Sequence, residues 1–100
     1  MTDRELLELA AKAAGIEVTA VVADGIPHRF GGGYWNPLTD DGDALRLAVK
    51  TGEPFVVRTR CVTMMSGLRE DFDPSIPGDD LRATRRAIVR AAAEIGKAMP

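Results

Sequence analysis

One cysteine and one histidine in 100 residues leave little material for thiol or metal chemistry. Cys61 has no second cysteine to bridge, so an internal disulfide is excluded. Cys61 and His28 together also fall short of the ligand number of an ordinary zinc site. No apolar run approaches the roughly 20 residues that span a bilayer. The opening Met1-Thr2-Asp3-Arg4-Glu5 has no secretory pattern, so a cytoplasmic protein without membrane contact is expected. Both G-x-x-x-x-G-K-[ST] and G-x-G-x-x-G are missing, and no cofactor is expected. A net charge of −2 argues against general nucleic-acid binding, which needs a basic surface to displace counterions.

With 45% hydrophobic and 28% charged residues, the chain has the composition of one ordinary globular domain, residues 1–100. A core this small gains from a homodimer or a bound partner. The charge is unevenly spread: residues 1–80 carry 8 basic and 14 acidic side chains, residues 81–100 carry 5 and 1. That asymmetry can steer a charged partner, or can simply solvate one helix face.

Thr2 with Glu5 matches a capping box ahead of a helix over residues 3–14, stopped by Gly15. The β-branched run 16–23 reads as a strand, Asp24-Gly25 as a turn, and 26–30 as a second strand held to an edge by Pro27. After Gly31-Gly32-Gly33, Thr39 or Asp40 caps a helix over 40–50, with Ala44, Leu45, Leu47, Ala48 and Val49 on its buried side. Residues 55–65 alternate as one strand, with Phe55, Val57, Thr59, Cys61, Thr63 and Met65 facing the core. A long loop, 66–78, leads to a helix over 80–99 whose apolar stripe is Leu81, Ile88 and Ile95 beside Ala91, Ala92 and Met99. Thr84 on that stripe can bond a carbonyl one turn back. The order α-β-β-α-β-α implies an α/β (α+β) fold, three helices on a small antiparallel sheet of about three strands.

Each candidate site has a structural alternative. The glycine run could approach a phosphate, but three aspartates follow it, and a flexible connection explains it. Asp40, Asp41 and Asp43 could hold a cation, yet helix capping accounts for all three. Trp35 with Pro37 reads as a clamp over the helix start, whereas Tyr34 is the better surface residue for stacking. Arg58 and Arg60 share a strand face, and Arg82, Arg86 and Arg90 recur every four residues along the last helix. These five arginines and Tyr34 form the best candidate set for an anionic partner. A Cys61–His28 nucleophile pair lacks any orienting acid, so an enzyme is not expected and no catalytic residue is assigned.

Two stretches carry a resemblance: Tyr34-Trp35-Asn36-Pro37-Leu38-Thr39-Asp40-Asp41-Gly42-Asp43-Ala44-Leu45-Arg46-Leu47-Ala48-Val49-Lys50, and Ala83-Thr84-Arg85-Arg86-Ala87-Ile88-Val89-Arg90-Ala91-Ala92-Ala93. They resemble small bacteriophage and prophage proteins of the phage α-β-α (ABA) sandwich domain family. The resemblance covers roughly a third of the chain and transfers no catalytic residue. It implies a phage-encoded accessory protein in the host cytoplasm that binds a host protein or complex, as an anti-CRISPR-like counter-defence inhibitor does. The alternative is an oligomer that sequesters a phosphorylated nucleotide signal with Arg58, Arg60 and Tyr34.

Overall fold

The computed structural model describes residues 1–28 and 32–100. Thr2 opens helix α1, Asp3–Ala14, by accepting the Glu5 N–H at 3.2 Å, and Gly15 closes it at φ 73°. Strands β1 (Ile26–Pro27) and β2 (Tyr34–Trp35) form a two-stranded antiparallel sheet, with Ile26 opposite Trp35. Helix α2, Asp41–Thr51, follows with Asp40 as its cap. Strands β3 (Phe55–Val57), β4 (Cys61–Met64) and β5 (Arg69–Asp71) make a second antiparallel sheet in the order β3-β4-β5. Helix α3, Asp79–Ala98, ends the chain. Three helices with small antiparallel sheets is the expected α+β class, although among the described residues the strands number five in two sheets.

Residues 16–23 are not a strand. Among the described residues their strand pairing is a single bridge, Val22 with Gly25, and most are exposed. β propensity without a partner ladder makes no sheet. Asp24-Gly25 does turn the chain, with Val22 and Gly25 exchanging bonds of 2.9 and 3.0 Å. Gly25 has φ 122°, and a Cβ there would sit 2.5 Å from the Trp35 carbonyl oxygen. Only glycine fits that approach. Of the second expected strand, Ile26 and Pro27 pair; Arg29 and Phe30, with Gly31, lie outside the described residues.

The expected single strand over 55–65 is a hairpin. Arg58 N–H donates to the Cys61 carbonyl at 2.8 Å, and the chain reverses between them. In one strand, positions 57 and 62 would point oppositely; in the hairpin Val57 pairs with Val62 and shares its face. The core face is therefore Phe55, Val57, Val62 and Met64, and Met65 is exposed. Inside the expected loop 66–78, Arg69-Glu70-Asp71 forms a strand despite poor β propensity, because β4 supplies its ladder.

α3 divides two clusters. On one side Ile88, Val89, Ala92 and Ala93 meet Leu6, Leu7, Ala10 and Ala11 of α1, Leu47 of α2, and Trp35. On the other, Ala83, Ala87 and Ala91 pack on Val62 and Met64. Leu81, Ile95 and Met99 of the expected stripe are substantially exposed instead. The buried line runs along alanines and Gly96 because α1 comes too close for larger side chains. A Cβ on Gly96 would lie 2.0 Å from the Leu9 carbonyl oxygen. Thr84 bonds the Asp80 carbonyl at 2.8 Å, as expected.

Candidate functional site

The Trp-Asn-Pro stretch is organised from within. Asn36 and Asp43 are the buried polar residues, and they bond each other: the Asn36 N–H donates to Asp43 Oδ2 at 3.0 Å. The Asn36 amide donates to the Asp24 carbonyl at 3.2 Å, and its Oδ1 accepts the Leu38 N–H at 3.1 Å. Arg46 closes the knot on Asp43 Oδ1 at 2.7 Å. Asp40 caps α2 through the Asp43 N–H at 2.8 Å, and Asp41 pairs with Arg85 at 2.7 Å. The three aspartates are thus engaged within the protein: Asp40 and Asp43 at the start of α2 and with Arg46, Asp41 with Arg85. Among the described residues no group of three or more His, Cys, Asp or Glu is placed to hold a metal ion. Trp35 lies in the main core cluster with Pro37 fully buried nearby, while Tyr34 is exposed.

Arg82, Arg86 and Arg90 line one side of α3 as their spacing requires, but each meets acceptors of the protein itself. Arg82 pairs with Asp79 at 2.6 Å and donates to the Asp71 carbonyl at 3.2 Å. Arg86 reaches Asp3 at 3.1 Å and Glu70 at 3.8 Å. Arg90 pairs with Glu70 and donates to the Arg69 carbonyl. Together they tie α3 to β5 and α1. Asp79 is held below the ordinary carboxylate range, chiefly by the Arg82 hydrogen bond and then by the Asp73 N–H. Arg82 is raised by the same bond.

Arg58 and Arg60 sit on the β3–β4 turn, exposed, and among the described residues neither forms an ion pair. Only the end of β5 links the two groups: Phe72 N–H donates to the Arg60 carbonyl, and Arg82 bonds the Asp71 carbonyl. Tyr34 belongs to the other sheet. Cys61 is buried in β4, whereas His28 is exposed beyond β1.

An apolar groove of about 230 Å³ separates α2 from α3; Ala44, Leu45, Phe55, Leu81 and Ile88 line it, and the Asp41–Arg85 pair borders it. Leu45 is 63% exposed and Val49, one turn on, 75%. Both were expected to be buried. They lie one position round from Ala44 and Ala48, about 100° away, and the core reaches only the Ala44, Leu47, Ala48 side. The exposed members are separated in sequence, so no pattern in α2 alone could reveal the groove. No protein-family model, curated protein or solved structure matches this chain.

Proposed function

We propose that this protein is a phage- or prophage-encoded accessory protein that acts without catalysis, by binding a host protein in the manner of a counter-defence inhibitor. The phage setting rests on the resemblance of the Trp-Asn-Pro and Ala/Arg-rich stretches. The mode of action rests on the α2–α3 groove. Exposed Leu45 and Leu81 flank a concave apolar floor, with the charged Asp41 and Arg85 at its border. An apolar centre with a polar rim is the anatomy of a protein interface. An inward-pointing leucine or aromatic side chain of the partner suits a groove of this size.

The test is affinity capture from host lysate with the native protein beside Leu45→Asp and Leu81→Asp. A defined partner retained by the native protein and lost by both variants is the expected result. Identical recovery by all three overturns the reading.

A second reading has its own observation: Arg58 and Arg60 are exposed and form no ion pair among the described residues, unlike Arg82, Arg86 and Arg90 of α3. They suit the phosphates of a nucleotide signal. A nucleotide at 100 times its dissociation constant would add about 2.7 kcal/mol of stability. A thermal-shift series without any rise, or one unaffected by Arg58→Ala with Arg60→Ala, removes this reading.

A further inference from the structure

The three-stranded sheet has an open edge at β3, and its backbone is arranged to receive a copy of itself. Pro54 C=O accepts the Met65 N–H at 2.9 Å, and Arg58 N–H donates to the Cys61 C=O at 2.8 Å. In an antiparallel ladder these directions alternate. Val56 therefore spends its backbone groups on Thr63, its partner in β4, while Phe55 and Val57 aim theirs outward. Between Pro54 and Arg58, Phe55-Val56-Val57 carries no charge and no proline, the usual protections of an exposed strand.

We propose that β3 pairs with β3 of a second copy, antiparallel about a two-fold axis at Val56, joining two three-stranded sheets into one of six. The proposal goes beyond the host-binding reading and does not depend on it. Three observations favour a second copy over another occupant.

The hydrogen-bond register is self-complementary. With Val56 opposite the other Val56, Phe55 falls opposite Val57, and these are the two residues whose N–H and C=O groups are free. Each such pair exchanges two hydrogen bonds, and the symmetry supplies two pairs.

The packing is self-complementary too. Val57 lies on the α3 side of the sheet yet is 51% exposed, because α3 is seated over β4 and β5. The two-fold axis brings the half-buried Phe55 of one copy beside the exposed Val57 of the other on that side. An aromatic and a β-branched residue form a favourable cross-strand pair.

The charges also agree. The register puts Arg58 beside Pro54 of the other copy, next to Glu53, and sends the two Arg58 residues to opposite ends of the interface. Arg58 has no ion-pair partner within the chain among the described residues.

Sedimentation velocity of the purified protein over a concentration series, with site-specific cross-linking, tests this. Native protein is expected to move from 10.7 kDa toward twice that mass as concentration rises. Val57→Pro should remain folded and monomeric, because it removes only an outward N–H. Val57→Lys should do the same by placing charge on the edge.

The two-fold axis also predicts a cross-link, since opposed Cα atoms in such a non-hydrogen-bonded pair lie about 4.5 Å apart, within disulfide range. In a Cys61→Ala background, Val56→Cys should form an intermolecular disulfide under mild oxidation, and Val49→Cys, at a more exposed position, should not. A protein that stays monomeric throughout overturns the proposal. So does a dimer that survives both Val57 variants, or cross-linking that is no faster at position 56 than at 49.

Discussion

β5 ends the sheet with Arg69-Glu70-Asp71, and β3 ends it with Phe55-Val56-Val57. The two strands are of equal length and flank the same central strand, yet their surroundings are opposite. On β5, Glu70 turns inward and is clasped by Arg86 and Arg90, while Arg69 and Asp71 pair on the outer face at 2.7 Å. Charge on both faces, with a helix tied across one of them, closes that edge to another strand. On β3 the side chains are apolar; Phe55 reaches the α3 clusters, but Val56 and Val57 stay half exposed. The difference shows where the arginines of α3 have gone: they dock the helix over one half of the sheet and leave the other half open.

The largest test of this arrangement strikes the position of α3 itself. Gly96→Val would drive a side chain into the Leu9 carbonyl. It should cost about 3 kcal/mol in urea unfolding, the upper range for overpacking. If it cost nothing, the seat of α3 would not be set by its contact with α1.

Next in size is Glu70→Ala, which leaves Arg86 and Arg90 without their shared carboxylate. Because both arginines keep partial solvent access, the expected loss is about 1 kcal/mol rather than the several of a fully buried pair. It should also open the β5 edge, read as faster amide exchange at residues 69–71.

Acid provides a smaller effect of known sign. The Asp79 carboxyl has a folded pKa below its ordinary 3.8, so its contribution is complete above that value. It is lost as pH falls through the folded pKa. Asp79→Asn should lower stability near neutrality, where the native carboxylate contributes fully, and flatten the stability profile below about pH 4.

The smallest effect on stability belongs to Val57→Lys, expected within about 0.5 kcal/mol because the site is half exposed. Its consequence should be confined to self-association. A large loss of stability would mean that β3 is not a free edge in the monomer.

Much of the helical frame is written locally. Thr2, Gly15, Asp40 and Gly52 cap α1 and α2 as their types require, and the ends fall within a residue of expectation. The strands were less legible. Residues 16–23 had the composition of a strand and, among the described residues, form no ladder beyond the Val22–Gly25 bridge; Arg69-Glu70-Asp71 had a ladder and lacked the composition. The turn at Arg58–Arg60 contains neither glycine nor proline, so the hairpin passed for one strand and its inner face was assigned in the wrong phase beyond the turn. On α3 the large residues suggested the buried stripe, but close approach selected the alanines and Gly96. The arginine set was visible as a spacing, while its carboxylate partners on β5 and α1 were not.

The sequence by itself determined the α+β class, the three helices and the caps of α1 and α2. These depend on interactions within a few residues, where side-chain type is enough. Only the tertiary structure decided which strands pair, which arginines are spent, and that Leu45, Leu81 and the β3 edge stand open. Those outcomes depend on what distant segments leave covered, and no local pattern records that.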